Sequence, residues 1–175
     1  MTQAQAMSVM IGSGVLLLGL MWLGWRGRQR RTAPLVGSLP QAPQDGYGEQ
    51  TFDTVPGTYI SSTTHGDWLD RIATQDLGYR SAANLTVHTT GIRIERSGAL
   101  DIFIPAQQVD HAETAPGIAG KVIGKDGIVL ISWHVEAKYG DDTLLDTGFK
   151  PDHKAQRDGL INAINSLTQT HKENQ

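Results

Sequence analysis

The sequence predicts a mainly β domain, preceded by one N-terminal transmembrane helix and closed by a C-terminal α-helix. Three patterns predict this: residues 7–25 carry no charge, residues 85–94 alternate apolar and polar side chains, and residues 160–167 place apolar side chains at helical spacing. The 175 residues leave room for one folded domain. Cysteine is absent, which excludes disulfides, thiolate metal sites and cysteine nucleophiles.

Charge is divided unevenly along the chain. Residues 1–44 carry four arginines with no lysine and no acidic residue, whereas residues 45–175 carry 11 basic and 18 acidic residues. Nucleic-acid-binding domains depend on clustered lysine and arginine that neutralise phosphates. We therefore expect no nucleic-acid partner for the acidic folded part.

Residues 7–25 are predicted to span a membrane. As a helix, 19 residues extend about 28 Å, close to the hydrocarbon thickness of about 30 Å, and the only polar side chains among them are those of Ser8 and Ser13. A cleaved signal peptide would place positive charge before the apolar stretch, but here the charges follow it. The segment is therefore predicted to be an uncleaved anchor.

The end of this segment predicts its orientation. Two tryptophans and four arginines stand at this end, within residues 22–31. Indole rings favour the headgroup region, and positive residues next to a span are retained in the cytoplasm. The bilayer is thus a predicted partner of a single-pass plasma-membrane protein, with residues 1–6 outside and the folded part cytoplasmic. Ala4, Ser8 and Gly12 recur every four residues, a spacing that would allow homodimerisation through the helix. The predicted membrane-interface residues are Trp22, Trp25, Arg26, Arg28, Arg30 and Arg31.

Residues 26–57 are predicted to be a basic juxtamembrane segment followed by a linker. Prolines at 34, 40, 43 and 56 alternate with glycines at 37, 46, 48 and 57, and no helical or strand periodicity appears. The linker itself, residues 32–57, would have a root-mean-square reach of about 28 Å if it is flexible. It would hold the folded part near the inner leaflet.

Residues 58–171 are predicted to form the domain, with a tail at 172–175. Strands are expected at 58–62, 85–88, 92–95, 100–104, 109–114, 121–123, 128–135 and 144–149, with 128–135 central because it is the most apolar. A short helix at 67–73 would begin at an Asp67 N-cap. A helix starting at Pro151 would cover the sheet with Leu160, Ile161, Ile164 and Leu167.

Several strings resemble a known family. They are YISSTT at 59–64, GDWLDRI at 66–72, LGYRS at 77–81, GIAGK at 117–121 and LDTGF at 145–149. Together with the anchor and linker, the chain is similar to actinobacterial single-span membrane proteins that carry a pleckstrin-homology-like (PH-like) domain. The resemblance implies a PH-like β-roll, or partly open barrel, capped by the C-terminal helix. That family is largely uncharacterised, so the resemblance implies no specific ligand.

One cluster has side chains suited to catalysis. His65, Asp67 and Asp70 lie within six residues and would suit a metal site or an acid–base pair. Helix capping accounts for Asp67, and the dipole of the first turn accounts for Asp70. A small hydrolase using these residues is therefore the less favoured alternative. No HExxH, GxSxG or phosphate-loop motif occurs, and we expect neither catalysis nor a cofactor.

Partner contacts are predicted on the segment between the first two strands. Trp133 alternates with apolar neighbours and is expected in the core, whereas Trp68, Arg71 and Arg80 are the candidate contact residues. The predicted function is a membrane-anchored cytoplasmic adaptor that binds protein or lipid without catalysis of its own, with a protein partner expected at the inner membrane surface. An accessory subunit of a membrane transport or export complex remains an alternative, which co-purification of a multi-span protein would indicate.

Overall fold

The fold is described by a computed structural model covering residues 3–32, 35–124, 127–138 and 140–173. Within these ranges, the side chains at 3, 4, 6, 8, 9, 25, 28–32 and 171–173 lie outside the described part.

The N-terminal segment is one helix, α1, over Gln3–Thr32. It is longer than the predicted 7–25 because the flanks are rich in alanine, glutamine and arginine, which are good helix formers. Among the described residues, no helix combines the length and the apolar character that crossing a membrane requires. Ala4 and Ser8 lie outside the described side chains, so the helix-pairing face stays a prediction.

In the part of the chain that the structure describes, nine strands and a second helix follow α1. They are β1 Gln50–Thr64, β2 Ser81–His88, β3 Gly91–Arg96, β4 Ile102–Pro105, β5 Val109–Ala115, β6 Gly117–Ile118, β7 Lys121–Val122, β8 Ile128–Val135, β9 Thr143–Pro151 and α2 Ala155–Glu173, with a 3₁₀ turn at Ala106–Gln108 between β4 and β5.

The strands form one antiparallel sheet in the order β4-β3-β2-β1-β9-β8-β5, with β6 and β7 as a separate hairpin. Strand β1 joins the two halves, since Gly57, Thr58 and Tyr59 pair with β2 on one side and with β9 on the other. A register shift between Tyr59 and Ser61 marks a bulge, which bends the strand. The predicted mainly β class with a C-terminal helix is confirmed.

Three sequence-based expectations about the strands and the β1–β2 connection differ from the structure. Strand β1 begins at Gln50 rather than at 58, because Val55 and Phe52 pack with the core and draw the end of the predicted linker into the sheet. The predicted helix at 67–73 is a series of turns. Strand β8 is second from the edge and β1 is central. Strand β8 is nevertheless apolar because both of its faces are covered, one by the main core and one by the β6–β7 hairpin.

Helix α2 closes the main core. It begins at Ala155 instead of Pro151, because Pro151 still pairs with Gly57 in the sheet. Leu160, Ile164 and Leu167 are buried in the main cluster, and Ile161 packs against it, as the apolar stripe predicted.

Asn165 of α2 covers the edge strand β5. Its side-chain oxygen accepts a hydrogen bond from the Ala112 backbone N at 2.8 Å, and its Nδ2 donates to the Ala112 backbone O at 2.9 Å. The amide therefore makes the two bonds that a neighbouring strand would make.

Replacing Asn165 by alanine is expected to lower the free energy of unfolding by about 2 kcal/mol, because it leaves two backbone groups of Ala112 without their partner. Urea unfolding monitored by circular dichroism measures this loss. Asn162→Ala is the matched control, since Asn162 is an exposed asparagine of the same helix. Equal losses in the two variants would contradict the assignment.

Candidate functional site

The predicted membrane-interface residues lie at the C-terminal part of α1. The Trp22 side chain is exposed, and the Arg26 guanidinium carbon lies 5.3 Å from the centre of its ring. This distance is within the range of a cation–π contact. The side chains of Trp25, Arg28, Arg30 and Arg31 lie outside the described part, so their roles stay predictions.

The predicted partner-contact residues lie in the β1–β2 loop, residues 65–80. Trp68 is 48% exposed and Arg80 is exposed. Arg71 is half-buried: its backbone forms a bridge with Thr63, and its Nη2 donates to the Ala119 backbone O at 3.4 Å. Arg71 thus ties this loop to the turn between β6 and β7.

The predicted catalytic cluster is not assembled. Asp67 accepts a hydrogen bond from the Leu69 backbone N, and Asp70 accepts one from the Thr64 hydroxyl. Both carboxylates therefore stabilise local turns. His65 instead bonds Asp146, with 2.8 Å between Nδ1 and Oδ1.

Asp146 is the centre of a polar row on the outer face of the sheet. Its neighbours Leu145 and Thr147 are fully buried toward the main core, so Asp146 points to the opposite face. It accepts hydrogen bonds from the Ser132 hydroxyl at 2.6 Å, from His65 and, at 3.3 Å, from the Gly66 backbone N. These bonds fix the start of the β1–β2 loop to β8 and β9.

His111 extends the row across β5. It is the register partner of Ser132, and its ring stands edge-on to that of His65 with 6.5 Å between the ring centres. Its Nδ1 lies 2.9 Å from a carboxylate oxygen of Asp110. No group of three or more His, Cys, Asp or Glu among the described residues is arranged to hold a metal ion.

Ser132 is fully buried, and its hydroxyl donates to the Asp146 carboxylate. A serine acts as a nucleophile only where its oxygen can reach a substrate, which this position does not allow. The hydrogen bond to Asp146 orients His65. The Asp146 side chain is only 10% exposed, whereas the His65 side chain is 45% exposed. The imidazole of His65 is therefore held in one orientation and remains accessible, an arrangement that suits contact with a ligand or partner.

A second polar group lies inside the barrel. The Tyr59 hydroxyl donates to the Leu77 backbone O at 2.7 Å and lies 2.9 Å from the Ser62 hydroxyl. The chain of contacts continues from Ser62 to Thr147 and from Thr147 to the indole N–H of Trp133. Burial raises the pKa of Tyr59 to about 12, against the opposing effects of the Ser62 hydrogen bond and of the Arg96 and Arg71 charges.

Stability should fall in strong alkali because of Tyr59. A tyrosine with pKa about 10 when unfolded and about 12 when folded contributes stability that is fully present below pH 10 and is lost as pH rises toward 12. Between pH 9 and pH 11 this loss is about 1 kcal/mol. Tyr59→Phe should lack it, so urea unfolding of both proteins at the two pH values isolates the effect. Parallel declines would contradict it.

The segment after α1 packs on the main core. Residues 35–39, here called the latch, lie between the β1–β2 loop and the residues that follow β8. The Val36 side chain is 2% exposed and belongs to the main core, and the Gly37 backbone N donates to the Glu136 backbone O at 2.7 Å. Gln75 binds the latch twice: its Oε1 accepts from the Leu39 backbone N at 3.1 Å, and its Nε2 donates to the Gly37 backbone O.

The latch contradicts the expectation of a flexible tether over the whole linker. The apolar side chain of Val36 is buried in the main core. Gly37 allows the latch backbone to lie close to Glu136, since a Cβ at position 37 would lie 2.8 Å from the Glu136 backbone O. A shallow groove of about 610 Å³ runs along this contact, between Val36, Ser38, Thr74 and Lys138.

Arg96 lies where β3 ends. It is 6% exposed, and its guanidinium carbon lies 4.4 Å from the centre of the Tyr59 ring. Its Nη2 donates to the Asp76 backbone O at 2.9 Å, while Nε and Nη1 have no hydrogen-bond partner among the described residues. A buried cation of this kind is unusual, because charges leave water at a high cost unless they are paired.

Sequence reasoning missed Asp146, Ser132, Arg96 and the latch. Asp146 is 81 positions from His65, and no periodicity connects them. One signal was available for Arg96: it occupies the position in β3 that continues the inward alternation of Ile92 and Ile94, so an arginine there breaks the apolar pattern.

An antiparallel sheet bent at a long first strand and closed by a C-terminal helix defines a PH-like domain. Residues 36–165 match the family described as Bacterial PH domain-like, and the chain belongs to this family. The match begins inside the latch and ends in α2. The PH-like part of the predicted resemblance is thereby confirmed.

The chain has low similarity to the solved structure named below and to curated proteins. Among solved structures, 18 chains match. One is from "The 8S snRNP Assembly Intermediate", with 12% identity, a TM-score of 0.49 and coverage of 77% of this chain and 89% of that chain. No curated protein matches the chain.

Proposed function

We propose that this chain is a membrane-anchored PH-like binding module that holds a protein or lipid partner at the cytoplasmic surface of the cell membrane, without catalysing a reaction. Family membership supports the binding module, since a PH-like domain fits a binding or adaptor role. The complete burial of Ser132, whose hydroxyl donates to Asp146, supports a role without catalysis at this serine.

The observation that carries the membrane anchor is the exposed apolar surface of α1. Its large apolar side chains are between 56% and 71% exposed, and burying one such side chain is favourable by about 1.5–3 kcal/mol. A contiguous apolar surface of this kind requires an apolar partner, which a bilayer supplies. The exposed apolar side chains of α1 are Met7, Met10, Ile11, Val15, Leu16, Leu17, Leu18, Leu20, Met21, Trp22 and Leu23.

The latch sets how far the domain lies from α1. From Thr32 to Leu35 there are three peptide steps, which span at most about 11 Å. The β1–β2 loop that binds the latch therefore lies near the membrane end of the domain, together with the exposed Trp68 and Arg80. These two side chains and Arg71 are the proposed contacts for a membrane-bound partner, whose local concentration the anchor raises.

Membrane association is tested by paired arginine substitutions. Leu16→Arg with Leu17→Arg should move the chain from the membrane fraction to the soluble fraction, because an arginine in the hydrocarbon costs about 3 kcal/mol. Leu100→Arg is the control, since Leu100 is an exposed leucine outside α1. Retention of the double variant in membranes would overturn the anchor.

Orientation is tested by cysteine labelling, which the absence of native cysteine makes specific. A membrane-impermeant maleimide on intact cells should label Gln3→Cys and spare Asp45→Cys. The reverse pattern would contradict the cytoplasmic placement of the domain.

A further inference from the structure

A cavity of about 350 Å³ lies where the end of β9 meets the start of α2 and the residues that follow β7. The sheet register places it away from the β1–β2 loop, because Gly57 pairs with Pro151 at the cavity whereas Thr64 pairs with Leu145 at the loop. From Gly57 to Thr64 the strand extends about 20 Å, at about 3.3 Å per residue. The lining residues are Ile123, Gly124, Gly127, Lys150, Pro151, Asp152, Lys154 and Arg157.

The lining of the cavity is cationic, although the domain as a whole is acidic. Residues 45–175 carry 11 basic and 18 acidic residues, yet Lys150, Lys154 and Arg157 line the cavity with a single acidic residue, Asp152. Charges of one sign around a concave surface focus the electric field and raise the local concentration of counter-ions. The excess of positive charge therefore indicates an anionic ligand.

Arg157 is held in place by its neighbour on the helix. Its Nε donates to the Asp158 carboxylate at 2.9 Å, and its side chain is 22% exposed whereas that of Asp158 is 75% exposed. This bond fixes the plane of the guanidinium group, whose donors match the geometry of phosphate oxygens. Lys150 and Lys154 are exposed, and their flexible ammonium groups are able to adjust to a ligand.

Backbone without side chains forms part of the cavity wall. Gly124 has φ of 125°, a conformation that other residues rarely adopt, and no described atom lies within 4 Å of the position that a Cβ would take there. The Gly124 backbone N donates to the Pro116 backbone O at 3.3 Å, and the Gly127 backbone N donates to the Gly124 backbone O at 3.1 Å. A wall of this kind allows a ligand to approach the main chain closely.

We propose that this cavity binds a small, soluble oxyanion of the phosphate class, held by Arg157, Lys150 and Lys154. Small-molecule sites have volumes of about 300–1,000 Å³, so a cavity of about 350 Å³ fits a compact ligand with one or two phosphate groups. The inference goes beyond the binding function proposed above, whose partner contacts lie in the β1–β2 loop. The choice of a soluble ligand rests on the proposed orientation, which places that loop near the membrane and the cavity about 20 Å farther along β1.

Titration of the full chain in mild detergent with pyrophosphate tests the proposal. Saturable shifts of the Gly124 and Gly127 amide signals in NMR spectra are expected. Lys154→Gln and Arg157→Gln should each weaken binding about tenfold, since each removes charge-assisted hydrogen bonds to the anion. Circular dichroism checks the fold of both variants. Because Lys154 is exposed, its substitution keeps the test decisive even where Arg157→Gln disturbs the helix.

Lys138→Gln is the matched control for these variants. Lys138 is an exposed lysine beyond the end of β8, whereas the cavity lies at the start of β8, and its substitution should leave the affinity unchanged. The proposal is overturned by the lack of a saturable shift at the two glycine amides, or by equal affinities in the Lys154→Gln and Lys138→Gln chains.

Vesicles of two compositions distinguish a soluble anion from a lipid headgroup. Hydrogen exchange at residues 150–157 should be equal in phosphatidylcholine and phosphatidylglycerol vesicles, and it should slow when pyrophosphate is added. Slower exchange in phosphatidylglycerol vesicles without pyrophosphate would assign the site to a headgroup and overturn the soluble ligand. A failed anchor would release the chain from both kinds of vesicle and leave pyrophosphate binding in detergent unchanged, so the two failures give different results.

Discussion

Replacing Trp133 by alanine is expected to lower the free energy of unfolding by about 4 kcal/mol. Trp133 is fully buried, and its indole N–H donates to the Thr147 hydroxyl at 2.9 Å. The substitution opens a cavity in the main core and leaves Thr147 without this donor. A loss of this size should lower the melting temperature by more than 10 °C, which differential scanning calorimetry measures.

Trp68→Ala is the matched control for this experiment. It removes the same side chain from a position that is 48% exposed, and the expected change in unfolding free energy is within about 0.5 kcal/mol. Comparable losses in the two variants would show that Trp68 is packed and would remove it from the proposed contact surface.

Asp146→Ala is expected to cost about 3 kcal/mol, because one substitution removes the acceptor of three hydrogen bonds. Ser132 is fully buried and has no alternative contact with water. Asp146→Asn should cost less, since the amide keeps one acceptor oxygen. Urea unfolding gives the free energies, and hydrogen exchange at Gly66 reports whether the start of the β1–β2 loop has come loose.

Asp152→Ala provides the comparison for Asp146. Asp152 is an exposed aspartate one residue beyond β9, and its loss should change stability by no more than about 0.5 kcal/mol. If Asp146→Ala were equally harmless, the row of Ser132, Asp146 and His65 would not organise this face of the sheet.

The regular elements could be predicted because their patterns are local. Strand β8 occupies the predicted 128–135, and α2 buries the predicted stripe, since alternation and helical spacing are visible within ten residues. The apolar neighbours of Trp133 predicted that it is buried, and the aspartates beside Trp68 predicted that it is exposed; the structure agrees on both.

The site could not be predicted for two reasons. Some of its contacts join residues that are far apart along the chain, and the latch lies in a stretch whose composition is typical of a linker. His65 and Asp146 meet only after β1 and β9 have paired. The latch lies in a stretch whose prolines and glycines are typical of a linker, but Val36 is buried in the main core, and Leu35 and Leu39 pack against that core. Asp67 and Asp70 were correctly given local structural roles, but those roles are in turns and not in the predicted helix.

The amide of Asn165 that imitates a neighbouring strand has a consequence for crowded surfaces. Molecules confined to a surface collide often, and an uncovered edge strand would allow neighbouring copies to pair through their strands. Because α2 covers that edge at Ala112, two copies that meet on a surface do not pair through this part of β5.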